Sequence, residues 1–282
     1  MDLSKSPVPR YELVDTSVFN LLPLQTTRGC PYDCSFCSVT TVYGPRCRVK
    51  SVEQIVREIE TLQKVAGTRR CVFNDDNTFV NRKRAYEILE AIKPLRVKYF
   101  AQTDISIAED ERLLKLLQES GCKTVFIGFE SLVAENLEEI QKSRWKMKRL
   151  ESYSKSCEKI QSYGIQVLGS FVVGFDHDTR DNLFLVRDFV LDNNILAQFL
   201  FLTPFPGTRI REELISQGRL SPYDTNWDLY TCFDAIFKPK SMTMQELEDT
   251  VLEIYASVYT DVADKKRMRH MVDQMKLATR RQ

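Results

Sequence analysis

Apolar, β-branched runs alternate with segments of helical apolar spacing along most of this chain. Leu22–Thr27, Cys71–Asn74, Val97–Gln102, Thr124–Phe129, Ile165–Val173 and Gln198–Thr203 have the length and composition of strands. Between them the apolar period changes from that of a strand to that of a helix. Ser51 and Gln54 form a capping-box pattern, and Val52, Ile55, Val56, Ile59 and Leu62 then make one apolar stripe. Further helices are expected near Arg82–Ile92, Ala108–Gln118, Arg149–Tyr163 and Arg180–Asp192. Repeated strand–helix units predict an α/β fold built on a parallel sheet.

The pattern breaks after Pro204-Phe205-Pro206-Gly207. Thr208–Gln217 reads as a short helix, and Leu220–Lys240 is irregular and aromatic-rich, with Tyr223, Trp227, Tyr230, Phe233 and Phe237. Thr243 and Glu246 form a second capping box that starts another helix. We therefore expect an N-terminal extension over residues 1–21, a main α/β unit over 22–215 and a small, mostly helical C-terminal extension over 216–282.

Composition narrows the picture only a little. The 282 residues carry 43% hydrophobic and 28% charged side chains and a net charge of +1, as in an ordinary globular enzyme or binding protein. That balance favours neither nucleic acid nor membrane as a partner. No apolar run reaches the roughly 20 residues of a membrane span, and the first residues lack the apolar centre of a signal peptide. Both point to a cytoplasmic protein. A basic tail, Lys265-Lys266-Arg267-Met268-Arg269-His270 with Arg280-Arg281, would suit RNA, but its apolar residues recur at helical spacing, as in a solvated amphipathic helix.

The chemistry sits in Thr26-Thr27-Arg28-Gly29-Cys30-Pro31-Tyr32-Asp33-Cys34-Ser35-Phe36-Cys37, just after the first expected strand. Cys30, Cys34 and Cys37 can ligate three irons of a [4Fe-4S] cluster, leaving the fourth open to a substrate or cofactor. A structural zinc site wants four closely placed ligands, but this chain has one Cys-x2-Cys pair and two distant histidines, His177 and His270. Three local thiols also leave one unpaired in any disulfide scheme. Cys47, Cys71, Cys122, Cys157 and Cys232 are scattered, and Cys71 and Cys122 open apolar runs as small buried hydrophobes would.

With that triplet, and with Phe36 just before its third cysteine, the chain resembles the radical SAM enzymes. The resemblance implies a partial (βα)6 TIM-like barrel in which the open iron chelates S-adenosylmethionine (SAM). One electron then cleaves SAM to a 5′-deoxyadenosyl radical. It also implies SAM contacts at the strand ends. Asp76, then Asp75, would accept from the amino group, in a turn where the family often has Gly-Gly-Glu. Glu130 and Ser131 would meet the ribose or methionyl end, and Gln102 would point into the barrel mouth. Ser170, Phe36 and the backbone of Leu202, Thr203 and Pro204 would border adenine.

Thr26–Cys37, Phe73–Asn81, Gly128–Ser131, Val173–Asn182, Leu202–Thr208 and Trp227–Tyr230 look similar to the catalytic half of cobalamin-linked radical SAM proteins. An Asp-x-His-x-x-Gly cobalamin motif is absent, since Asp176 and His177 are adjacent, and only about 20 residues precede the first strand. Cobalamin is therefore not expected within this chain. The leading expectation is hydrogen abstraction from a small or lipid-like substrate, with electrons from an external donor such as a flavodoxin or ferredoxin. The alternatives are methyl transfer with cobalamin from a partner, and a non-catalytic iron–sulfur carrier. Tyr43, Arg46 and Arg48 could face the substrate.

Overall fold

The computed structural model describes residues 2–67, 70–220 and 225–280; Tyr223 and Arg281 lie outside them. Six parallel strands form the main sheet: β1 (Leu22–Leu24), β4 (Arg70–Phe73), β5 (Lys98–Thr103), β6 (Cys122–Glu130), β7 (Gln166–Val173) and β8 (Leu196–Phe201). They pair in strict sequence order, with no reversal of the kind that splits a doubly wound sheet. Parallel crossovers are almost always right-handed, so unbroken sequential order puts the connecting helices on one face. The opposite face becomes the inside of a partial barrel.

Strand parity records those two faces. In β6, Val125, Ile127 and Phe129 are fully buried, while Phe126, Gly128 and Glu130 on the other face are only partly covered. Phe129, Phe171 and Phe199 stack across neighbouring strands at centroid distances of 5.4 and 5.9 Å. Tyr153, Phe189 and Tyr255 meet that row edge-on. This aromatic layer joins sheet to helices and leaves the other face free for chemistry.

The covering helices are α2 (Val52–Ala66), α3 (Arg82–Ile92), α4 (Glu111–Ser120), α6 (Tyr153–Ser162) and α7 (Arg180–Asp192). Ser51 and Gln54 make the expected reciprocal cap, and Thr179 and Asn182 make another that the sequence pattern did not single out. α4 starts later than expected. Asp104 and Asp110 accept from the backbone of Ser106 and Leu113, which breaks the segment into a 3-10 turn followed by the helix. A similar 3-10 turn, Met147–Ser152, precedes α6.

β1 is shorter than Leu22–Thr27, because the chain leaves the sheet after Leu24. Thr27–Arg28 (β2) instead pairs antiparallel with Arg48–Val49 (β3), and the cysteine loop with its short helix α1 (Val39–Tyr43) hangs from that ribbon. β8 begins and ends two residues before the expected span, although Leu202 N still donates to Val173 O at 2.9 Å. α5 (Ala134–Ile140), not anticipated from the sequence, follows β6. In the C-terminal part come α8 (Arg209–Ser216), α9 (Met244–Val258) and α10 (Asp261–Arg280). Leu247, Val251, Ile254 and Val258 of α9 enter the same apolar core as the barrel strands. No helix among the described residues is long and apolar enough to cross a membrane.

Candidate functional site

A cavity of about 270 Å³ opens at the C-terminal ends of the strands, where parallel barrels carry their chemistry. Cys30, Cys34, Cys37 and Phe36 line it from the cysteine loop. Asp76 comes from the end of β4, Gln102 from β5, Glu130 from β6 and Ser170 from β7. Eight of the residues singled out in the sequence are thus neighbours.

The loop that carries the thiols is fixed from several sides. Ser35 N donates to Ile140 O at 2.9 Å, Ile210 N donates to Ser35 O at 3.1 Å, and Gln141 Nε2 donates to Cys34 Sγ at 2.9 Å. Gly29 has φ +98°, and a Cβ there would lie 2.7 Å from Arg46 O. Only glycine fits that approach to the loop.

Burial pushes the Cys30 thiol up to about 11 and the Cys34 thiol up to about 12, and it raises Cys37 as well. Nearby carboxylates, Asp76 beside Cys30 and Glu130 beside Cys34, add to the effect. As thiolates these sulfurs call for a positive partner, and iron bound among them supplies it. Among the described residues no three His, Cys, Asp or Glu side chains converge on one metal-ion position. A multi-iron cluster does not ask for that convergence, because each thiolate binds its own iron. The donor set therefore fits a [4Fe-4S] cluster.

At the end of β6 the register shifts between Gly128 and Glu130, and Glu130 takes φ +68°, an uncommon conformation for a residue with a side chain. Its Oε1 accepts from Lys146 Nζ at 2.7 Å, and Lys146 also donates to Gly128 O at 2.5 Å. A Cβ on Gly128 would sit 2.3 Å from Glu130 Oε1, so the absent side chain makes room for the pair. Burial disfavours the charged amine. Glu130, with smaller help from Cys34 and Tyr153, outweighs it and holds Lys146 above its ordinary value.

Four further cavity residues were not singled out as ligands in the sequence. Asp104 accepts from Asn77 Nδ2 at 2.8 Å, from Ser106 N at 3.0 Å and from Tyr32 Oη at 3.4 Å. Trp145 packs on Tyr32 with ring centroids 5.2 Å apart, and the Arg149 guanidinium lies over its ring. Lys146 and Trp145 sit in an irregular stretch with no periodic signal. Only the fold brings them to the mouth.

Other expected positions lie elsewhere. Asp75 is 1% exposed, turned away from the cavity and bonded to Thr26 and Thr27. Ser131 Oγ accepts from Val133 N and Asn136 Nδ2 at the start of α5. Leu202 packs in a small apolar cluster with Phe175, with Phe36 against it. Thr203 Oγ1 donates to Phe201 O, and Pro204 O accepts from Arg211. Arg48 donates to Tyr43 O, and Arg46 and Tyr43 are exposed beside the ribbon; none of the three lines the cavity.

Behind Ser131, Asn136 Nδ2 donates to Asp178 Oδ1 at 2.7 Å, and Asp178 also accepts from Gly174 N and Phe175 N. Burial nevertheless pushes its carboxyl from 3.8 up to about 6. A group raised in the folded state stabilises fully below its unfolded value, and that stabilisation is lost as pH rises through about 6. The interval from 3.8 to about 6 corresponds to roughly 3 kcal/mol at most. The urea midpoint should therefore fall as pH rises from 3.8 to about 6 and level off above it. Asp178→Asn should flatten the slope, and an unchanged slope would refute the assignment.

The comparisons agree with this geometry. The model of the Radical SAM superfamily matches residues 24–190. Bacteriochlorophyllide d C-12(1)-methyltransferase of Chlorobaculum tepidum is 32% identical over 88% of this chain and 54% of its own length. An uncharacterized methyltransferase of Pyrococcus horikoshii is 32% identical over 92% of this chain and 56% of its own. The chain thus spans about half the length of these curated relatives. TsrM from Kitasatospora setae, a radical SAM methyltransferase solved with cobalamin and a [4Fe-4S] cluster, superposes with a TM-score of 0.61 at 21% identity. That match covers 70% of this chain and 39% of TsrM. OxsB, solved with aqua-cobalamin and SAM, gives 0.63 at 16% identity over 92% of this chain and 46% of OxsB, a likeness of fold. A family match across most of the barrel, on a sheet whose cavity gathers the three thiols, makes this chain a member of the radical SAM superfamily and an enzyme.

Proposed function

We propose that this chain is the catalytic unit of a radical SAM carbon methyltransferase, whose cobalamin is held by a separate domain or partner protein. The observation that carries it is the extent of the match. Likeness to the bacteriochlorophyllide methyltransferase runs over 88% of the chain, far beyond the cysteine loop. A hopanoid C-2 methylase of Rhodopseudomonas palustris matches at 29% identity over 78% of the chain.

In this reading Cys30, Cys34 and Cys37 hold the cluster. Asp76 keeps one carboxylate oxygen on Gly29 N at 2.8 Å, which leaves the other to accept from the SAM amino group. Lys146 puts positive charge where the SAM carboxylate would lie, and Glu130 holds that amine in place. Phe36, Val172 and Leu200 give the cavity an apolar wall, while Gln102 and Ser170 offer hydrogen bonds from the sheet. Bound there, the cluster and SAM supply one-electron chemistry at the sulfonium, driven by an external donor of the flavodoxin or ferredoxin kind.

A second reading, hydrogen abstraction without methyl transfer, is favoured by one class of relative. The anaerobic magnesium-protoporphyrin IX monomethyl ester cyclase of Cereibacter sphaeroides is 28% identical over 82% of the chain. Anaerobically reconstituted protein with dithionite and SAM, with and without a cobalamin-loaded B12-binding domain, separates the two. S-adenosylhomocysteine that appears only with cobalamin supports methyl transfer. 5′-Deoxyadenosine alone, indifferent to cobalamin, supports abstraction, and intact SAM in both arms overturns both readings.

A further inference from the structure

Asp75 and Asp76 are adjacent and both accept from the approach to Cys30, yet only one of them lines the cavity. Asp76 lines the cavity. Asp75 is buried and accepts from Thr26 N at 2.6 Å, Thr26 Oγ1 at 2.5 Å and Thr27 N at 2.8 Å. We propose that Asp75 is a positioning residue that sets the path of the cluster-binding loop by clamping the four-residue approach to Cys30, Thr26 to Gly29.

Thr26 and Gly29 are held on both sides of the bend. Thr26 O accepts from Lys50 N at 3.0 Å and from Arg84 Nη2 at 3.2 Å. Gly29 N donates to Asp76, and Gly29 O accepts from Cys47 Sγ at 3.1 Å. Asp75 alone takes three of these donors, and it does so at the point where the chain leaves β1 for the ribbon. A carboxylate buried this deeply persists only where donors replace the water it has lost. Two of those donors are backbone amides that no longer have a sheet partner, because β1 ends at Leu24. The clamp therefore exchanges strand pairing for a bend, and that bend delivers Cys30 to the cavity. Preorganising ligands before iron arrives lowers the ordering cost of binding.

The inference rests on the assignment of the cluster to Cys30, Cys34 and Cys37, and the test keeps the two apart. In Asp75→Asn the oxygen that accepts from Thr26 N and Thr27 N loses its charge, and the NH2 replaces the oxygen that accepts from Thr26 Oγ1. Amide hydrogen exchange at Thr26, Thr27 and Gly29 of the iron-free protein should rise at least tenfold. Iron release to a chelator from the reconstituted protein should quicken by a similar factor. Thr26→Val, which removes one of the three bonds and spares folding, should give about a threefold change in each. Leu114→Ala, in the core of α4 and remote from the loop, serves as the control for general destabilisation. Wild-type exchange and iron retention in Asp75→Asn would overturn the proposal. Equally fast iron release from Leu114→Ala at matched melting temperature would overturn it too. If the wild type takes up no iron, the cluster assignment fails, and the exchange data alone still decide the clamp.

Discussion

Replacing Cys34 by serine is expected to lower bound iron from about four atoms per reconstituted chain to background and to abolish reductive cleavage of SAM. Cys34 is the most enclosed of the three cavity thiols, and its burial opposes a free thiolate more than the nearby Lys146 ammonium favours one. Iron bound there relieves that cost, and a serine hydroxyl, a far weaker acid than a thiol, cannot take its place. Cys232→Ala is the matched control, since Cys232 lies outside the cavity lining and meets β8 through its carbonyl, which accepts from Phe201 N. Iron and sulfide analysis with electron paramagnetic resonance reads the outcome. Wild-type iron in Cys34→Ser would remove the basis of the site.

Lys146→Met should destabilise the protein by about 3–5 kcal/mol, the range for removing one member of a buried ion pair. The Lys146 and Glu130 side chains are 8% and 12% exposed, so solvent screens them little. The change strands the Glu130 carboxylate and the Gly128 carbonyl together, inside a cavity that already holds Asp76 and Asp104. Adding Glu130→Gln should recover much of the stability, because the unpaired charge then disappears. Recovery of SAM binding is not expected, since the positive charge stays absent. Urea titrations of the two variants, read alongside equilibrium binding of SAM to the reconstituted proteins, check both halves. A loss under 1 kcal/mol in the single variant would show that the pair is better solvated than its burial implies.

Most of the architecture was legible in the chain because it depends on local periodicity. Each main strand overlaps its expected run, and the caps at Ser51 and Thr243 form as spaced. What shifted were boundaries set by side chains far away in sequence. β1 stops early because Asp75, 49 residues from Thr26, captures the backbone of its continuation. α4 starts late for a local reason instead, because Asp104 caps a 3-10 turn and Asp110 then caps the helix. α5 was missed because it is short and its Leu137 and Ile140 pack with Val172 and Leu214, which are distant in sequence.

The site divides in the same way. The three cysteines identify themselves by spacing, and Asp76, Gln102 and Glu130 fall at or just after strand ends, where a parallel barrel gathers its side chains, with Ser170 inside β7. Whether Asp75 or Asp76 faces the cavity depends on which way a turn leaves the sheet, and composition is silent on that. Ser131 follows Glu130 directly, yet the left-handed backbone at Glu130 sends the serine into the Asn136–Asp178 network. Lys146 lies 16 residues from its partner, in a segment with no repeating pattern.

By itself, then, the sequence determined the parallel α/β framework and the cysteine triplet, because both are written in short-range spacing that survives any packing. Tertiary structure alone decided the division of labour between adjacent aspartates, the charge pair at the cavity and the aromatic wall of Tyr32 and Trp145. Those depend on which distant backbones approach one another, and on which buried charges must find a partner when they do.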